Sequence, residues 1–165
     1  MTEATARFAL PYILPGQAQK ELFHNEALAI ADFVLHPVVE GAALSAPPSD
    51  AQPGEAWLVA PPGEGPWSGR AHSLACWTGA GWRFAGPVPG MLVWNKAAGF
   101  WLHWTGSGWS GGELPASRIV IGGRQVVGER QRDVPSPSGG TTIDVEARAA
   151  IDQLIVALKS HGLID

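Results

Sequence analysis

Five histidines, scattered carboxylates, one cysteine and eight tryptophans are the residues of this chain that could do chemistry. His24, His36, His72, His103 and His161 lack close ligand spacing, so a metal site would need three of them to converge from distant segments. Glu55 and Glu64 flank the stretch holding Trp57, and two carboxylates beside aromatic rings suit glycoside hydrolysis. The distance between them decides that chemistry and cannot be read from sequence, so solvated loop charges are the simpler reading. Gly106-Ser-Gly-Trp-Ser-Gly111 has the spacing of a dinucleotide-binding fingerprint, which works only between a strand and a helix whose N-terminus meets the pyrophosphate. No helical pattern follows it, and the segment reads as a hairpin loop. Walker, His-Glu-x-x-His and Gly-x-Ser-x-Gly motifs are absent from the sequence. No catalytic residue, metal or cofactor is expected, and the chain reads as non-enzymatic.

The tryptophans are more informative. All eight fall between residues 46 and 112. Their faces suit stacking on sugar rings, yet Trp also fills small β cores and anchors subunit contacts, and the core and interface reading takes precedence. Trp67, between Pro66 and Ser68, is the tryptophan expected to be most exposed. Trp101 and Trp104, three apart on one strand, point to opposite sides, so one should face outward. These three are the candidate glycan or partner contacts.

The elements that must position these residues follow from composition and period. The chain has 165 residues, with 21 Gly and 14 Pro, enough for one turn-rich module with a real core. A formal charge of -4 and the lack of a basic run leave no electrostatic footprint for nucleic acid. Cys76 stands alone, which excludes an intramolecular disulfide and a cysteine-based zinc site. No secretory signal or roughly 20-residue apolar span is evident, so a soluble protein made in the cytoplasm and without a membrane partner is expected.

The expected class is α+β: a small Trp-rich antiparallel β-sheet domain with an N-terminal and a C-terminal amphipathic helix, read as a single module over 1–165. Segment 1–45 carries a helix from Gln17 to about Leu35. Its apolar face is Phe23, Ala27, Ile30 and Val34, widened by Leu22, Ala29 and Phe33, with Asp32 on the remaining surface. Segment 46–112 reads as short strands at 56–59, 73–77, 82–85, 91–94 and 100–104, with another entered at Trp109. Trp77-Thr-Gly-Ala-Gly-Trp82 recurs as Trp104-Thr-Gly-Ser-Gly-Trp109, predicting two equivalent hairpins with paired tryptophans and a positive φ at Gly81 and Gly108. Segment 113–165 begins with a hairpin around Gly122-Gly123 and ends in a helix. Thr141 and Asp144 have capping-box spacing there, Gly162 ends the helix, and Leu163 suits a Schellman contact. The stripe Ala147, Ile151, Leu154 and Leu158 fits two heptads, which suits either a helical bundle between subunits or packing on the protein's own sheet.

A family likeness is carried by Leu10-Pro-Tyr-Ile-Leu-Pro-Gly-Gln-Ala-Gln-Lys-Glu-Leu-Phe-His-Asn-Glu-Ala-Leu28, by Val126-Val-Gly-Glu-Arg130, by Gly139-Gly-Thr-Thr-Ile-Asp-Val-Glu-Ala-Arg148 and by His161-Gly-Leu-Ile164. With the Trp-rich middle, these residues resemble the DUF2793 family of phage, prophage and gene-transfer-agent proteins. The resemblance implies a virion component, a spike or tail-fibre base or adaptor joining the particle to a distal host-binding fibre. Its implied partners are other virion proteins and further copies of the chain, and it brings no catalytic residues. The alternative function is a carbohydrate-binding module that recognises bacterial surface polysaccharide through exposed tryptophans.

Overall fold

The computed structural model describes residues 4–13 and 20–165, so the expected helix start at Gln17 lies outside the described residues. The class is α+β, and the chain divides into two compact units, Met1–Leu114 and Pro115–Asp165, here units 1 and 2.

Unit 1 begins with a short segment followed by α1, Lys20–Val34. Leu35 is followed by His36-Pro37; the residue before a proline is pushed out of helical space, and the chain extends into β1, Val38–Val39. Two sheets follow. β2 (Ala56–Leu58), β3 (Leu74–Trp77) and β4 (Trp82–Ala85) form an antiparallel meander. β5 (Leu92–Asn95), β6 (Phe100–Trp104) and β7 (Trp109–Gly111) form another, to which β1 adds in parallel beside β5. The strands of the Trp-rich segment pair antiparallel as expected, and the parallel edge comes from the segment before them.

The period-2 alternation of β3 buries both of its faces. Leu74 and Cys76 join Phe33, Val39, Ala56, Leu58 and Val93 in one core cluster. Ala75 points the other way, into a second cluster with Val59 and Trp67, bordered by Trp57, Trp82 and Phe84. On α1 the buried face is rotated from the one the apolar spacing predicts. Phe33, Ala29 and Asp32 are buried, whereas Leu22 and Phe23 are 61% and 78% exposed. Asp32, expected on the surface, is only 4% exposed because three donors from the N-terminal segment converge on its carboxylate.

The two Trp-Thr-Gly-x-Gly-Trp units close their loops alike. Trp77 lies opposite Trp82 and Trp104 opposite Trp109, with ring centroids 5.2 and 5.5 Å apart. In each, the threonine hydroxyl donates to the carbonyl of the second glycine at 2.8 Å. The left-handed backbone, however, falls on the first glycine of each loop: Gly79 has φ 81° and Gly106 φ 100°. Gly81 keeps the expected positive φ, at 157°, whereas Gly108 has none, which corrects the expectation at that position. Open space surrounds Gly106, so Gly106→Ala meets backbone strain alone and should destabilise by about 1 kcal/mol, while Gly108→Ala stays within about 0.5 kcal/mol. Urea denaturation of the two variants checks the contrast.

Unit 2 holds the hairpin β8 (Ile119–Ile121) and β9 (Arg124–Val127) and the helix α2, Val145–Ser160. Asp144 is itself the N-cap, its carboxylate accepting the Ala147 N–H at 2.8 Å, and Thr141 is not. At the other end Gly162 adopts φ 68°, its N–H bonds the Lys159 carbonyl and the Leu163 N–H reaches back to Leu158, the Schellman pattern.

Candidate functional site

The outer face of the four-stranded sheet is the candidate surface of unit 1. Val93 is buried in the core and Leu102 and Trp109 pack against it, so alternation turns Trp94, Trp101, His103 and Ser110 to the opposite face. Trp94 and Trp101 are direct cross-strand partners, their rings edge to face at 5.2 Å. The ring of His36 meets Trp101 at 6.1 Å, nearly perpendicular. His103 Nδ1 lies 3.0 Å from the Glu113 carbonyl, and the Ser110 hydroxyl donates to the Glu113 carboxylate at 2.9 Å. Half-buried aromatic rings beside hydroxyl, imidazole and carboxylate groups can stack on a sugar ring and bond its hydroxyls.

The three tryptophans singled out from sequence are not brought together. Trp101 is on this outer face. Trp104 is on the other side of β6, against Trp109 and the ring of His72, as their three-residue separation requires. Trp67 is fully buried, contrary to expectation. Its Pro66 and Ser68 neighbours do form a loop, but the 3-10 turn Gly65–Trp67 turns the indole inward against Trp82 at 5.0 Å. Trp94, which sequence reasoning did not single out, is the missing member of the surface. Its signal was the register that sets it opposite Trp101.

A cleft of about 350 Å³ is lined by Arg7, Phe8, His36, Glu40, Glu55 and Lys96 among others. Its charges are already engaged. Arg7 donates to the carbonyls of Gly54, Val38 and His36, Lys96 is paired with Glu40, and Glu55 accepts the Gln52 N–H. Among the described residues no group of three His, Cys, Asp or Glu is placed to hold a metal ion. Cys76 is buried, and that burial pushes its thiol up to about 11, which keeps it protonated and unreactive near neutral pH. Gly106–Gly111 forms the β6–β7 loop and β7, with no helix after it.

The α2 stripe is the candidate surface of unit 2. Ala147, Ile151, Leu154 and Leu158 are all exposed, Leu154 at 64%, while Ile155 beside them is buried. Within unit 2 the stripe is not covered by the β8–β9 hairpin.

No helix among the described residues is long and apolar enough to cross a membrane. A family model described as "Protein of unknown function (DUF2793)" matches residues 24–110. No curated protein matches the chain.

Proposed function

The chain belongs to the DUF2793 family, and from that premise we propose that it is a non-enzymatic structural component of a phage-like particle, a spike or tail-fibre base or adaptor. In this reading it is made in the bacterial cytoplasm, is incorporated into the particle, and links other virion proteins to a distal fibre that touches the host. The observation that carries the reading is the uncovered apolar surface of unit 2, where Ile151, Leu154 and Leu158 stand in helical register facing solvent. Soluble proteins rarely leave such a stripe bare; it suits a part that is buried in an assembly. The test is to purify particles from strains with and without the gene and compare them by mass spectrometry and cryo-electron microscopy. Presence of the chain, and loss of one defined density in the deletion, is the expected result. Particles that never contain it would refute the reading.

A second reading, a module binding bacterial surface polysaccharide, is favoured by the Trp94 and Trp101 face with its polar border. It makes a separate prediction. In a glycan-binding screen, Trp101→Ala should weaken retention about tenfold, while Trp67→Tyr, a change at a buried site, should leave the affinity of the folded fraction unchanged. A chain that retains no glycan would remove this reading.

A further inference from the structure

Unit 2 has almost no core of its own. Ile155 and Ile164 are its buried apolar residues, whereas thirteen large apolar side chains between Ile119 and Leu163 are exposed. What holds the unit together otherwise is polar and superficial. The Gln131 N–H donates to the Leu163 carbonyl and the Asp165 N–H to the Gln131 carbonyl, Lys159 pairs with Asp133, and Arg130 lies 3.4 Å from Asp165. Exposed ion pairs contribute little to stability. A segment of this length bears a large ordering entropy, which two buried isoleucines do not offset.

The hairpin is exposed on both sides. Val120 and Ile121 are neighbours on β8 and point to opposite faces, yet they are 48% and 66% exposed. A two-stranded sheet in water is marginal at best, and both edges of this one are unpaired among the described residues. The α2 stripe repeats at steps of four, three and four, the spacing of a coiled-coil seam. Alanines 150 and 157 flank it, and Arg148, the charge nearest to it, is turned back onto the Gly139 carbonyl. A seam without charges, bordered by small residues, is complementary to another copy of itself. The exposed apolar side chains together offer on the order of 1,000 Å², against the roughly 800 Å² per partner that a stable interface buries.

We propose that unit 2 is a self-association module whose folding is completed by a second copy of the same unit, with the hairpin and the Ala147 to Leu158 stripe of one chain buried against those of another. The inference rests on the assembly reading above only in making unit 2 the assembling part; it holds whether or not the assembly belongs to a particle.

The test uses the full-length protein. Light scattering on dilution through the micromolar range is paired with hydrogen exchange followed in peptides covering 119–127 and 145–160. The expected result is an oligomer that dissociates on dilution while those two segments lose protection and the 74–85 and 92–104 strands keep theirs. Leu154→Asp should weaken association at least thirtyfold, whereas Leu154→Met should leave it within threefold. A monomer at all concentrations with both segments protected would overturn the proposal, since unit 2 would then fold alone. So would an association that Leu154→Asp and Ile121→Asp together leave intact. A monomeric chain still found in particles defeats this inference and spares the function; an oligomer absent from particles does the reverse.

Discussion

Trp67→Ala should lower the stability of unit 1 by about 3 to 5 kcal/mol, the range for truncating a large buried aromatic. The indole is fully buried and plugs the second face of the β2–β3–β4 sheet. It packs edge to face on Trp82, which also meets Trp57 at 5.9 Å and Trp77 at 5.2 Å, so the deletion removes a support of the ring at the centre of that cluster. The site cannot collapse easily, because Val59 and Ala75 are held in sheet and bridge pairings and the Trp67 backbone is fixed by Glu64 and Arg70. Trp67→Phe should cost much less. The indole nitrogen has no hydrogen-bond partner in its buried position, so Phe gives up area while removing an unpaired donor. Urea denaturation followed by tryptophan fluorescence separates the two, and it reports on unit 1 because every tryptophan lies between residues 46 and 112. A loss below about 1 kcal/mol for the alanine variant would mean that the second cluster is not a cooperative part of the fold.

The same residue marks where sequence reasoning stops. Period-2 alternation and the repeated hairpin motif are local signals, and they place β4 and β6 at the residues where the structure has them. The Schellman end of α2 is equally local. Whether a loop residue points inward depends on which sheet face passes beneath it, and nothing in Pro66-Trp67-Ser68 encodes that. The rotation of α1 has the same origin. Leu22 and Phe23 satisfy the helical period as well as Phe33 does, but only the C-terminal half of the helix meets the core cluster, through Ile30, Phe33 and Val34. The outer aromatic surface was half legible: Trp101 could be singled out from its strand, whereas Trp94 required the pairing register. The stripe of unit 2 was legible as a stripe, but that the unit's own hairpin leaves it bare was not.

Asp32 is the clearest case of a residue whose role has no sequence signal, and its removal should be the second large effect. One carboxylate oxygen accepts the Thr5 hydroxyl at 2.6 Å and the Phe8 N–H at 2.7 Å, and the other accepts the Arg7 N–H at 2.8 Å. Thr5 in turn accepts the Leu10 N–H, so a carboxylate near the end of α1 organises the turn before it. With its backbone fixed, Arg7 donates to the carbonyls of Gly54 at 2.7 Å and Val38 at 3.0 Å, which ties the segment to β1 and to the loop before β2. Asp32→Ala leaves two backbone donors and a hydroxyl without an acceptor, a loss of about 2 to 4 kcal/mol if the segment stays in place. The chain has a cheaper response, since releasing the segment returns those donors to water. The observed destabilisation is therefore capped at the free energy with which the segment docks. Two measurements tell the cases apart: denaturation gives the cost, and trypsin cleavage after Arg7 gives the exposure. Asp32→Ala should be cut at least tenfold faster than the parent chain, and Thr5→Val, which removes the hydroxyl bond to Asp32 and the acceptor of the Leu10 N–H but keeps the two backbone bonds to Asp32, should fall between them. Equal cleavage of all three would mean that the segment is held by Arg7 and its carbonyl partners rather than by the buried carboxylate.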